Sequence, residues 1–332
     1  MIIRILTLLI LFTGLAACGE RDVEPKSDSV ITENQQIQGR GENKDNWWDN
    51  LPRSHWDKFE LVKQDQDWFE VYKITDTIFA IYEMGQFEET ISYLIIGAEK
   101  ALLFDTGIGV GDMRKLVSNL TGLPIIVLNS HTHYDHVGGN HSFETVYGVS
   151  TEYTQEHTKG RPNDEVREFI GPGWVWKPIP NGITVDNYES KPFTISHYVT
   201  DGEKIDLGGR VLEVYLVPGH TPDSLVLMDR EEGLLFMGDM FYPATLYAHL
   251  GDADFDVYVK SAERLAGMMK DVDILLPAHN EPWVSSSYLG AMYQAFLDIQ
   301  KPGAEYKIID GDREYRFDGF TIMVSEPPPW QE

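Results

Sequence analysis

The sequence predicts an α/β layered fold. Short apolar runs alternate with amphipathic segments, and a dense set of metal-ligating side chains sits where one such run stops. Strands are expected near 71–75, 77–83, 91–97, 100–105, 125–129, 211–217, 224–229, 233–238 and 272–276. Helices are expected at 110–121, 255–269 and 285–299, and the middle one shows the pattern best: Phe255, Val259, Ala262, Leu265, Ala266 and Met269 recur at three- and four-residue steps that make one apolar face. The tail from Tyr306 to Val324 alternates like a small hairpin around Asp318-Gly319 and is expected to add edge strands.

The chemistry is concentrated in His131-Thr132-His133-Tyr134-Asp135-His136, with isolated counterparts at His220, Asp239 and His279. Imidazole nitrogens and carboxylate oxygens suit zinc and similar first-row metals. Seven such groups exceed what one four-coordinate ion needs, so two divalent ions, expected to be Zn2+, are the economical reading. The motif follows Ile125-Ile126-Val127-Leu128-Asn129, which reads as a buried parallel strand starting after Pro124. Extended geometry past that strand points His131 and His133 to the same side, since strand side chains alternate. Asp135 and His136 are consecutive and project differently, toward a neighbouring ion, before Val137-Gly138-Gly139 turns the chain away. Asp105 ends a strand beside the site and can fix a ligand imidazole through its second nitrogen.

With these residues the chain resembles the metallo-β-lactamase superfamily, whose H-x-H-x-D-H, H, D, H ligand series is matched by His131, His133, Asp135, His136, His220, Asp239 and His279. Leu103-Phe104-Asp105-Thr106-Gly107, Pro218-Gly219-His220-Thr221-Pro222 and Leu235-Phe236-Met237-Gly238-Asp239 are further similarities, over roughly residues 70 to 290. The resemblance implies a four-layer αββα sandwich with metals at one edge of its two sheets. It also implies that His131, His133 and His220 hold one ion and Asp135, His136 and His279 the other, with Asp239 bridging. A metal-bridging hydroxide would then cleave a carbonyl-centred bond, and Asp135 would orient that nucleophile and pass its proton on. The commonest β-lactam-opening relatives carry cysteine where this chain has Asp239. Tyr242, three residues after that Asp, is placed as in metallo-lactonases, where the phenol assists at the carbonyl. Ester or lactone hydrolysis is therefore the expected activity. The alternatives are a β-lactam or thioester hydrolase of the same fold, an iron-dependent oxidoreductase similar to persulfide dioxygenases, and a non-catalytic metal- or solute-binding lipoprotein.

Composition narrows the partners. With 53 acidic against 27 basic residues the formal charge is −26, which argues against nucleic acid and for a small-molecule substrate. The start of the chain, a basic Arg4, an apolar stretch from Ile5 to Leu15 and then Leu15-Ala16-Ala17-Cys18, reads as a secretory signal at 1–17. Its end resembles the bacterial lipoprotein box, which implies lipid on Cys18 and an exported, membrane-anchored lipoprotein of the cell envelope. Cys18 is the single cysteine, so no intramolecular disulfide is possible. Residues 18–46 read as a flexible tether and 47–332 as the catalytic domain.

Candidate substrate contacts are Phe87 in a Met84–Glu89 flap, Trp174 and Trp176 in an irregular 155–193 segment that could form a lid, and His249. Trp47, Trp48, Trp56 and Trp68 are expected to pin the N-terminal segment onto the domain. His55, His141, His157 and His197 have no sequence partners and are expected to be structural.

Overall fold

The computed structural model describes residues 46–331. The signal, the lipidation position Cys18 and all but the last residue of the expected tether lie outside the described residues. The first sheet has eight strands in sequence order: β1 Glu60–Val62, β2 Glu70–Thr75, β3 Ile78–Tyr82, β4 Ile91–Ile96, β5 Ala101–Phe104, β6 Ile125–Leu128, β7 Val146–Val149 and β8 His197–Val199. Pairing is antiparallel from β1 to β5 and parallel from β5 to β8. The second sheet contains β9 Lys204–Asp206, β10 Val211–Leu216, β11 Leu225–Asp229, β12 Leu234–Gly238, β14 Ile274–Pro277 and β15 Val284–Ser285, in the order β15-β14-β12-β11-β10-β9. The helices are α1 Met113–Leu120, α2 Tyr134–Val137, α3 Glu152–His157, α4 Asn163–Val166, α5 Phe255–Met268 and α6 Ser287–Ile299.

Strand alternation builds the layers. On β4, Ile91, Tyr93 and Ile95 face a core shared with Leu234 and Phe236 of β12, so the two sheets pack face to face. Leu94 points the other way, onto Met113, Leu116 and Val117 of α1. Leu235 and Met237 likewise turn outward to Ala262 and Leu265 of α5 and to Leu289, Met292 and Phe296 of α6. The result is helix, sheet, sheet, helix. Each fully buried Leu or Phe here contributes roughly 1.5–3 kcal/mol. Asp112 caps α1, accepting from the Lys115 backbone N–H at 2.9 Å, which is why that helix starts later than the periodicity predicts.

The tail departs from expectation. β17 Asp312–Arg316 and β18 Thr321–Val324 do form the hairpin around Asp318-Gly319, but neither joins a main sheet. With β16 Lys307–Ile309 and β13 Thr245–Tyr247 they make a separate four-stranded sheet, because β18 pairs in parallel with β13, a strand too short for a periodicity signal. Tyr315 and Ile322 bury this sheet against the α5–α6 layer. Among the described residues no helix is long and apolar enough to cross a membrane.

Candidate metal centre

Strands β5, β6, β10, β12 and β14 run in directions that bring their C-terminal ends to one edge, and every expected ligand lies just past such an end or in the loop that follows it. The edges are stitched by backbone bonds, Leu225 N–H to Ser130 O at 2.8 Å and Ile91 N–H to Ala278 O at 2.7 Å. Past β6 the chain stays extended through His133, which precedes α2 with φ −65° and ψ 156°, and then turns into that one-turn helix. The turn buries Asp135 and His136 and leaves Tyr134 half-exposed. Gly138 ends it, and a Cβ there would lie 2.2 Å from the Ile108 carbonyl carbon, so only glycine allows this approach.

Two groups of ligand atoms result. His131, His133, His220 and Asp239 offer atoms within 4.8 Å of one another, and Asp135, His136 and His279 form the second group under the same limit. His133 Nδ1 lies 2.9 Å from His131 Nε2 and 3.2 Å from His220 Nε2. Tetrahedral bonds of about 2.0–2.1 Å would set ligand nitrogens roughly 3.3 Å apart. Asp239 joins the groups: Oδ2 is 3.5 Å from His220 Nε2, while Oδ1 is 3.3 Å from His136 Nε2 and 3.0 Å from His279 Nε2. Asp135 Oδ2 stands 3.2 Å from His136 Nε2 and 3.6 Å from His279 Nε2.

The residues fit divalent cations. His136 Nε2 and Asp239 Oδ1 are buried with no hydrogen-bond partner, although leaving such atoms unsatisfied is costly. Electrostatics agree, since the carboxylates draw positive charge into the cluster. Burial opposes charge on His136 and His279, yet Asp135 and Asp239 outweigh it, with Asp105 adding to the effect on His136. The His136 imidazole is raised well above its usual range and that of His279 to about 9. Burial raises Asp135, but His136 and His279 hold it at about 2. Burial and neighbouring imidazoles push His131 well down and His220 to about 4, which leaves them neutral as ligands must be.

Asp105 Oδ2 lies 2.9 Å from His136 Nδ1 and accepts from Ser130 Oγ at 2.8 Å, while Oδ1 accepts the Ser130 N–H at 2.7 Å. His279 is aimed by the Glu88 carbonyl, 2.7 Å from its Nδ1, and His220 by the Tyr247 carbonyl at 3.3 Å. The Tyr242 ring packs edge-on to His279 with centroids 4.9 Å apart, and burial and Asp239 raise its phenol well above the usual range. His249 does not join these residues: its Nε2 is 3.5 Å from Asp312 Oδ2 of β17, because the chain leaves β13 at Tyr247. Phe87, Trp174 and Trp176 belong to an aromatic strip beside the second group. Trp56 and Trp68 are fully buried, and Trp47 and Trp48 pack on Trp176.

Sequence reading missed several participants. Asp223 is buried and accepts from Thr132, Thr154 and Thr221 hydroxyls at 2.7 to 2.9 Å, bracing the motif from behind. His157, expected to be structural, has Nδ1 3.1 Å from Thr132 Oγ1. Asp252, held by the Tyr153 hydroxyl at 3.0 Å, faces His133 Nε2 at 3.8 Å. Position in Thr221-Pro222-Asp223 was the one available signal for Asp223; for Asp252 there was none.

Comparison with known proteins agrees with this geometry. The model of the metallo-beta-lactamase superfamily matches residues 87–279. The chain is similar to the acyl-coenzyme A thioesterase MBLAC2 of Gallus gallus, 29% identical over 229 residues, covering 64% of this chain and 81% of the relative. Similarity to its Homo sapiens counterpart is 26% over 232 residues, with the same coverage. A metallo-beta-lactamase from Pontibacter korlensis shares the fold with a TM-score of 0.50 at 19% identity, covering 69% of this chain and 99% of that one.

Proposed function

The chain belongs to the metallo-β-lactamase superfamily, and from that premise we propose that it is a metal-dependent hydrolase of acyl thioesters. The observation that carries the hydrolase reading is Asp239 placing one oxygen on each ligand group. In this reading His131, His133, His220 and Asp239 would hold one divalent ion and Asp135, His136 and His279, with Asp239, a second, both expected to be Zn2+. Bound there, the ions supply an activated water and a Lewis acid for the carbonyl oxygen. The thioester preference rests on the acyl-coenzyme A thioesterase relatives at 26–29% identity.

Water adds to the carbonyl carbon, the carbon–sulfur bond breaks, and acid and thiol leave. Asp135, held at about 2, is an ionised carboxylate whose Oδ1 accepts the proton of that water and returns it to the departing sulfur. Tyr242 acts as a donor: with its phenol raised well above the usual range it keeps its proton and hydrogen-bonds the carbonyl oxygen as charge develops. Asp105 and the Glu88 carbonyl fix the His136 and His279 rings.

The test is a panel of acyl-CoA and neutral acyl-N-acetylcysteamine thioesters, esters, lactones and β-lactams, run after metal quantification. His133→Ala should abolish turnover while circular dichroism stays unchanged. A metal-loaded protein that cleaves nothing on the panel overturns catalysis, and oxygen uptake with one iron per chain turns the reading to an oxidoreductase. Tyr242 beside His279 favours a second reading, lactone or ester hydrolysis, and lactones outpacing thioesters would establish it. Export and lipid attachment at Cys18 remain part of the proposal, on the sequence of residues 1–18; palmitate labelling lost in Cys18→Ser tests them.

A further inference from the structure

Between β3 and β4 the chain pairs with a distant segment. Phe87 N–H donates to Trp174 O at 2.8 Å, Trp176 N–H donates to Gly85 O at 3.1 Å, and Gln86 and Val175 form a bridge. The two segments make one flap beside the second ligand group. Glu88 ties it there, its carbonyl on His279 and its carboxylate accepting from the Tyr134 hydroxyl at 2.8 Å. Tyr134 itself stands between the ligands His133 and Asp135.

From Tyr134 outward the rings form an unbroken strip. Tyr134 stacks on Phe169 at 4.0 Å, Phe169 meets Trp174 at 5.1 Å, and Trp174 meets Phe87 at 5.1 Å. Phe87 reaches Trp47 at 6.2 Å, and Trp47 meets Trp176 at 4.9 Å. None of these rings is fully buried. The rings are partly exposed, with Tyr134 and Phe169 also packed against the core under α1, and a contiguous apolar strip beside a metal site can receive an apolar ligand.

We propose that this strip is the binding wall for the acyl chain of the substrate, selecting medium- and long-chain acyl groups over acetyl. The inference rests on the thioester reading above. Its occupant follows from continuity, because the strip starts within the ligand motif. A substrate whose carbonyl sits at the metals has its acyl side laid along Tyr134 and on toward Trp174 and Phe87. The flap is one sheet-like unit, so its rings present a fixed surface and a chain lying on it loses water from one side.

The test measures kcat/KM of the metal-loaded full chain on saturated acyl thioesters from acetyl to palmitoyl. Burial on one side predicts a rise of about twofold per methylene, half the full-burial effect on a logarithmic scale. Trp174→Ala should flatten that slope, and Trp174→Leu, which keeps an apolar side chain, should restore much of it. Tryptophan fluorescence during titration with a non-hydrolysable decyl thioether should shift in the wild type and not in Trp174→Ala. A wild type that cleaves thioesters with a flat profile overturns the proposal and leaves the hydrolase reading standing. So does a Trp174→Ala that lowers all chain lengths equally. Vesicle binding to phosphatidylcholine lost in Trp174→Ala with the slope intact would make the strip a membrane-facing surface and also overturn it. If no thioester is cleaved, the thioester reading fails, and the fluorescence titration alone decides whether the strip binds alkyl chains.

Discussion

Replacing Arg53 by Met should destabilise the fold and weaken the metal site together. Arg53 donates to both oxygens of Glu89, one contact at 2.7 Å, and the side chains are 16% and 1% exposed. Glu89 also accepts from the Tyr82 hydroxyl and, at 3.2 Å, from Asn280 Nδ2, while Trp56 Nε1 donates to Asn280 O at 3.0 Å. Breaking a buried pair by removing one partner costs about 3–5 kcal/mol. The exposed flank of Arg53 and proton uptake by the stranded carboxyl reduce this, so about 3 kcal/mol is expected. Arg53→Met/Glu89→Gln removes both charges and should recover at least about 1 kcal/mol. Because the clamp holds Asn280, the residue after His279, affinity for the second ion should fall about tenfold. Urea unfolding of metal-free protein gives the first number and chelator competition the second. An Arg53→Met protein within about 0.5 kcal/mol of wild type, or a strictly additive double variant, would refute the reasoning.

Asp105→Asn keeps an acceptor for the Ser130 N–H but loses the charge facing His136 Nδ1; chelator competition should show metal affinity down about 10–100-fold, and an unchanged affinity removes Asp105 from the site. Glu83 is fully buried, accepts from Trp68 Nε1–H and the Ile108 N–H, and burial raises its carboxyl to about 7. The folded state then holds this proton more tightly than the unfolded chain. Stability is therefore highest below the ordinary value of 4.5 and falls as pH rises toward 7, by at most about 3 kcal/mol. Glu83→Gln should flatten that fall in urea titrations of metal-free protein; a persistent slope would assign it elsewhere. Gly219 precedes His220 with φ +143°, and a Cβ there would lie 2.3 Å from Tyr258 Cα, so Gly219→Ala should cost about 2 kcal/mol or more, and a neutral result in the same unfolding assay would show that the loop can yield.

The residues that could hold metal were legible, and of those that aim them only Asp105 was. His131, His133, Asp135 and His136 fall within one six-residue window after an apolar run, which spacing shows, while the resemblance to the family's ligand series picked out His220, Asp239 and His279 at the ends of strand-like segments. Arg53 and Glu89 are 36 residues apart, and Glu89 is 191 residues from Asn280; no local pattern marks such pairs. His249 likewise takes a partner far away in the sequence, Asp312 of β17, which no local pattern marks.

Backbone conformation at the strand ends explains why local reading stops short. Glu89, Asp105 and Asn280 have φ of +52°, +66° and +67°, three of the four non-glycine residues with positive φ among the described residues. Asp and Asn tolerate that region, but Glu gains nothing from it, and each such residue costs about 1–3 kcal/mol unless its surroundings over-determine it. Here they do. Asp105 is held by its own N–H on Leu128 O at 3.1 Å and by the hydrogen bonds of its carboxylate, and Glu89 and Asn280 by the Arg53 clamp. The strain flanks His279 and backs His136, where an imidazole must meet a cation within a few tenths of an ångström. A motif reports which side chains chemistry requires; the twist that points them comes from residues whose identity, Glu89 above all, argues for a different local conformation.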